Sequence, residues 1–215
     1  MKNINTIIWD WNGTLLNDIE ICVDSINILL KQRNHKTLSI EKYHKIFTFP
    51  VKDYYTRAGF NFEKEPFDEV AIEFIDIYRE KIPKATLFSD VEQTLNFFKK
   101  RGFKQIIISA MEKNFLLQSV EQKKIEAYFE VIAGINNHHA VSKLDLAKEI
   151  IINRNINPNK CVLIGDTLHD FEVAENISCK CILVASGHQS LKKLSKANCR
   201  VVSNLNQVKC LFKNF

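Results

Sequence analysis

The chain has 215 residues, 46% of them hydrophobic and 26% charged, with only 6 Gly and 4 Pro and a formal net charge of +5. At roughly 150 residues per domain this length allows one or two domains, and the composition excludes disordered, collagen-like and linker-dominated chains. No apolar run approaches the roughly 18 residues of a membrane span, and residues 1–4 lead straight into a strand-length run without a signal-peptide core, so the expectation is a soluble cytoplasmic protein with no membrane partner.

The basic excess is not a nucleic-acid signal. Its densest runs are short, and Lys99-Lys100-Arg101 stands directly before Gly102, where cations complement the carbonyl end of a helix. No nucleic-acid partner is expected. The 6 Cys residues lack zinc spacing, because Cys179 and Cys181 are separated by one residue and no second pair follows. Reduced thiols are expected.

In chain order, strand-like runs fall at 4–9, 104–108, 131–133, 161–164, 180–184 and 200–202. Segments of helical periodicity separate most of them: Val91, Leu95 and Phe98 share one face, as do Leu144, Ala147 and Ile151. This alternation predicts an α/β fold, a doubly wound parallel sheet that binds ligands at the carboxyl ends of its strands. Residues 16–87 break the pattern and read as helices at 19–33, 40–47, 51–58 and 69–81. The expected division is a core of residues 1–15 and 88–215 with an inserted helical domain at 16–87, hinged at 15–17 and 83–89. A monomer or homodimer fits this organisation.

Four strand ends carry chemistry. Ile7-Ile8-Trp9-Asp10 delivers a carboxylate and then turns through Trp11-Asn12-Gly13-Thr14. Ile106-Ile107-Ile108 delivers Ser109. Lys143 opens a predicted helix, and Val162-Leu163-Ile164-Gly165 delivers Asp166 and, one helical turn on, Asp170. Crowded carboxylates call for a hard divalent cation, and Mg²⁺ favours oxygen ligands. A cation, a lysine and a hydroxyl together suit phosphate, and a charge-screened carboxylate can attack phosphorus. Helix capping would account for one of Asp166 and Asp170, but not for the pair facing Asp10.

These motifs, in this order and with a helical insertion after the first strand, resemble the haloacid dehalogenase superfamily, in particular its phosphoglycolate-phosphatase-like branch. The resemblance spans nearly the whole chain. It implies that Asp10 is a nucleophile that becomes an aspartyl-phosphate. It also implies that Asp10, the Asn12 carbonyl, Asp166 and Asp170 hold Mg²⁺, and that Ser109, the Ala110 amide and Lys143 bind phosphate. Gly13 and Thr14 fall in the substrate-binding turn. The implied substrate is a small phosphorylated metabolite similar to phosphoglycolate.

One departure matters. The superfamily's phosphatases usually carry a second Asp, a general acid and base, where this chain has Asn12. An amide cannot exchange a proton at neutral pH, and such catalysis contributes ~10²–10⁴-fold. The enzyme would then be slow, would favour leaving groups that need little protonation, or would recruit another acid; His188, Glu112 and His44 are candidates. Two alternatives follow from Asn12, a 2-haloacid dehalogenase and a catalytically silent phosphate-binding protein. In the insert, Arg57 is a candidate for a substrate carboxylate, while Phe47, Phe49, Tyr54 and Phe60 read as a small core. His188, in the loop after the 180–184 strand, reads as a site-edge residue. His138-His139 reads as a solvated pair.

Overall fold

A computed structural model describes residues 1, 3–135 and 142–213. His138 and His139 lie outside the described residues. The first strand, β1 (Thr6–Trp9), is followed by a two-residue strand, β2 (Leu16–Asn17), and by four helices, α1 (Ile19–Gln32), α2 (Ile40–Ile46), α3 (Val51–Ala58) and α4 (Phe67–Lys81). Then come β3 (Thr86–Leu87), α5 (Val91–Lys100), β4 (Lys104–Glu112), α6 (Lys113–Gln122), β5 (Val131–Ile135), α7 (Lys143–Asn153) and β6 (Cys161–Gly165). The chain continues through α8 (Leu168–Asn176), β7 (Lys180–Val184), α9 (Leu191–Leu194), β8 (Arg200–Val202) and α10 (Leu205–Cys210).

Six strands form one sheet in the order β5-β4-β1-β6-β7-β8, and every pairing is parallel. This is the α/β doubly wound sheet that the alternation predicts. Helices on both faces bury the strands from both sides, which explains the continuous apolar runs. Ile7 and Trp9 belong to one core cluster, with Leu95, Phe98 and Ile164, whereas Ile8 belongs to the other, with Ile108, Leu163 and Leu183. Trp11 joins the Trp9 cluster, so both indoles lie on the side of the chain away from Asp10. Gly102 closes α5 at φ 74°, a left-handed position that glycine occupies without a Cβ penalty.

The four inserted helices build a third cluster around Val23, Ile26, Leu29, Tyr55, Phe60 and Val70. In α1 these residues recur at Val23, Ile26, Leu29 and Leu30, one face of a 3.6-residue period. The segments expected as hinges are tied together: β2 and β3 pair antiparallel, with Leu16 opposite Leu87, and the Phe88 amide donates to the Leu15 carbonyl at 3.1 Å. No described helix is long and apolar enough to cross a membrane.

The order in which strands are added reverses at β1, which lies between β4 on one side and β6 on the other. Crevices outside the carboxyl ends of strands at such a switch point are where ligands bind in this architecture. The residues that follow β1 and β6 are Asp10 and Asp166.

Candidate active site

The Asp10 amide donates to the Ile164 carbonyl at 2.9 Å, extending the β1–β6 ladder one residue and fixing where the carboxylate emerges. Lys143, in the first turn of α7, is buried and forms ion pairs with Asp10 Oδ1 and, at 2.6 Å, with Asp170 Oδ1. Lys113 and Lys124, by contrast, are exposed. Oxygens of Asp10, Asp166 and Asp170 all lie within 4.8 Å of one another, and all three residues are buried. The Thr14 hydroxyl lies 3.3 Å from both Asp10 Oδ2 and Asp166 Oδ1.

Capping and site geometry are combined in Asp170. Its Oδ2 accepts from the Thr167 amide at 3.0 Å and the Thr167 hydroxyl at 2.7 Å, the capping box of α8, while Oδ1 faces Lys143. The helix therefore aims this carboxylate at the lysine. Asp166 Oδ2 accepts from the His188 amide at 2.5 Å.

The charges are crowded. Burial raises Asp10 to about 6 against the lowering pull of Lys143, with Asp170 pushing the same way as burial. Asp166 has no lysine against it, and burial, with Asp10 and Asp170 adding to it against the pull of His188, raises it to about 8. Asp170 stays below its ordinary value: burial alone would raise it, but Lys143 and the Thr167 donors outweigh that cost.

A second buried carboxylate centre adjoins the first, and sequence reasoning missed it. Asp18 stands at the N-cap of α1 yet makes no side-chain cap bond. Its Oδ1 accepts from the Gly13 amide at 3.0 Å and lies 3.3 Å from His188 Nε2, and its Oδ2 accepts from Asn12 Nδ2 at 3.0 Å and from the Tyr78 hydroxyl at 2.6 Å. Burial would raise the Asp18 pKa, but His188, Tyr78 and Asn12 hold it below the ordinary value. His188 is raised to about 9 against the cost of its own burial, chiefly by Asp18. The other His188 nitrogen, Nδ1, lies 2.8 Å from the Tyr43 hydroxyl. The only sequence signal for this centre is an acid at the boundary of the insert, a position that a helix cap would also explain.

Several expected roles change accordingly. His188, expected at the edge of the site, is buried and lines the cavity beside it. The Gly13 amide donates to Asp18 and to the Leu16 carbonyl, and the Thr14 hydroxyl lies between the Asp10 and Asp166 carboxylates, so both help to hold the turn together. Asn12 directs its amide toward Asp18 and Tyr78. Ser109 falls inside β4, in the irregular stretch between Ile108 and Glu112, and its hydroxyl accepts from the Met111 amide at 3.1 Å. Glu112 uses both oxygens to accept from the Asn114 and Phe115 amides that open α6. Arg57 lies exposed in the last turn of α3 and does not line the cavity, because the helical period gives the inner face of α3 to Tyr54, Tyr55 and Ala58.

Between the insert and the core lies a cavity of about 500 Å³, lined by Asn12, Asp18, Ala110 and His188 at the core and by aromatic side chains of the insert. Phe47 and Tyr54, expected to serve only as packing, form part of this wall. Phe49 packs its ring 4.9 Å from that of His169.

Comparison with known proteins agrees with this architecture. The pyrophosphatase PpaX of Bacillus mycoides is 22% identical over 200 residues, covering 85% of this chain and 84% of its own length. The haloacid dehalogenase-like family protein SP0104 of Streptococcus pneumoniae superposes with a TM-score of 0.86 at 18% identity, covering 99% of this chain and all of that one. A predicted phosphoglycolate phosphatase from Haemophilus somnus superposes with a TM-score of 0.80 at 16% identity, with 99% and 100% coverage. At such identities the structural likeness speaks for the fold. The family profile described as haloacid dehalogenase-like hydrolase matches residues 7–184, and with the strand-end carboxylates it establishes that the chain belongs to that hydrolase family.

Proposed function

We propose that the chain is a Mg²⁺-dependent phosphatase that hydrolyses a small phosphorylated metabolite through an aspartyl-phosphate on Asp10. The observation that carries this reading is the buried lysine shared by Asp10 and Asp170, with Asp166 in the same cluster. The names of the relatives, pyrophosphatase and phosphoglycolate phosphatase, support the same chemistry.

The donor set fits a hard divalent cation. It consists of buried oxygen donors, and burial, with neighbouring carboxylates adding to it, drives two of the three carboxylates upward in pKa. Asp10, Asp166, Asp170 and the Asn12 backbone carbonyl would hold Mg²⁺, which when bound offsets the charge of phosphate oxygens. Lys143, Ser109 and the Ala110 amide would bind the remaining oxygens. Asp10 then attacks phosphorus, the ester P–O bond breaks, and the electron pair leaves on the ester oxygen. Water attacks the phosphoryl group next, the Asp10–phosphorus bond breaks, and the carboxylate is restored. Residues 16–87 act as a cap that excludes bulk water from this exchange.

The test is phosphate release from acetyl phosphate by wild type and Asp10→Asn, with and without added Mg²⁺. Turnover that needs both the carboxylate and the metal supports the proposal. Halide release from a 2-haloacid without Mg²⁺ would replace it with a dehalogenase.

A further inference from the structure

The cavity does not have the lining that a two-carbon acid or a bare pyrophosphate needs. At about 500 Å³ it falls within the roughly 300–1,000 Å³ typical of pockets that enclose drug-sized ligands. Either small anion would leave most of it unfilled. A second anionic group would also need cations, and these are scarce. The Arg79 guanidinium is exposed and lies 5.7 Å from the centroid of the Phe115 ring. His188, the other cation in the wall, is already paired with Asp18.

The lining is instead aromatic. Tyr43, Phe47 and Tyr54 form a continuous cluster, with the Tyr54 centroid 5.5 Å from that of Tyr43 and 5.2 Å from that of Phe47. Phe74 and Phe115 add rings from α4 and α6. The Tyr54 hydroxyl is buried without any hydrogen-bond partner, an arrangement that costs stability. At the core end the same cavity reaches Asn12 and Ala110, the neighbours of Asp10 and Ser109.

The leaving-group chemistry gives an independent constraint. Asn12 has no proton to give, Glu112 caps a helix, and both ring nitrogens of His188 are engaged. A leaving oxygen here departs with little protonation. A phenolic oxygen, with a pKa of about 10 in tyrosine, tolerates this far better than an alkoxide does.

From these two observations we infer that the substrate is an aryl phosphate monoester, its ring enclosed by the aromatic chamber and its phosphoryl group at Asp10. The inference rests on the phosphatase reading above and narrows its substrate class. In the reaction the P–O(aryl) bond breaks as the Asp10–phosphorus bond forms, and phenolate carries off the electron pair before taking a proton from solvent.

Non-hydrolysable probes separate recognition from leaving-group reactivity. Phenylphosphonate and methylphosphonate are titrated calorimetrically into the full chain with Mg²⁺, while acetyl phosphate turnover is measured on the same preparation. Phenylphosphonate is expected to bind at least about tenfold tighter, the order of effect from burying one ring. That ratio should fall to below about threefold in Phe115→Ala, which removes a wall, and in Val51→Trp, which fills the chamber. If acetyl phosphate is hydrolysed but the two phosphonates bind equally in wild type, the aryl inference is overturned and the phosphatase reading stands. If acetyl phosphate is not hydrolysed at all, the phosphatase reading fails and the inference with it. The wild-type ratio decides even if a variant fails to fold.

Discussion

Asn12 donates its side-chain amide to Asp18 at 3.0 Å, so the position expected to carry a general acid holds a neighbouring carboxylate in place instead. Tyr78 bonds to both residues, receiving from Asn12 at 2.7 Å and donating to Asp18 at 2.6 Å. The three side chains form a closed network at the junction of core and insert, beside the Asp10 cluster.

Asn12→Asp restores an ionisable group at this point. With the Asp18 carboxylate alongside, the new acid keeps its proton to higher pH than an exposed carboxyl would, the state that a general acid requires. Hydrolysis of an alkyl phosphate should rise at least tenfold, within the ~10²–10⁴-fold range of acid–base catalysis, and that of an activated aryl phosphate should rise much less. Parallel rate measurements on the two substrates check this; equal gains would count against the role assigned to position 12.

Lys143→Met tests the charge balance of the cluster. Asp10 and Asp170 lose their shared counter-ion while buried, and breaking a buried pair typically costs about 3–5 kcal/mol. Thermal unfolding should show a large loss without metal and a larger stabilisation by Mg²⁺ than in wild type. A variant as stable as wild type without Mg²⁺ would mean that these carboxylates are not charged together.

Gly187 lies against the Asp166 carboxylate, and a Cβ added there would collide with Asp166 Oδ2 and with the Gly13 carbonyl. Gly187→Ala should therefore displace Asp166 and weaken Mg²⁺ binding about 10–100-fold, the usual effect of disturbing a ligand's support. Gly102→Ala is the contrast: it meets no atom within 4 Å but forces alanine to φ 74°, so it should lower stability and leave Mg²⁺ affinity unchanged. Calorimetric titration of both variants distinguishes a local steric effect from a global one.

His44 should titrate below the ordinary histidine value, because burial and then the charge of His188 disfavour its protonated form. The unfolded chain then holds this proton more tightly than the folded one. The stability contribution is present above pH 6.5 and is lost as pH falls below it. Nuclear magnetic resonance titration of the His44 ring checks the direction, and a midpoint above 6.5 would refute it.

The sheet was legible because its strands are buried on both faces and so appear as unbroken apolar runs. Asp10 and Asp166 were legible because each directly follows such a run. Lys143 could be chosen only by its place at a helix start, since no pattern in the sequence links it to Asp10 at 133 residues' distance. Asp18 was not legible, because an acid before a helix is the commonest kind of cap and nothing local reveals that its side chain turns away from the helix. The aromatic residues of the insert were legible as apolar, but Phe47 and Tyr54 both pack and line the cavity, a distinction that depends on how α2 and α3 meet the core. The exposed position of Arg57, outside the cavity lining, has the same origin: one helical turn decides whether a side chain faces the chamber or solvent.

In the proposed reaction Asp10 carries the phosphoryl group. Rapid acid quench during turnover of an aryl phosphate with Mg²⁺, followed by peptide mass spectrometry, tests it directly. A phosphoryl adduct on Asp10 is expected, disappearing when substrate is exhausted and absent from Asp10→Asn. Sustained turnover with no adduct, or an adduct on another residue, would contradict it.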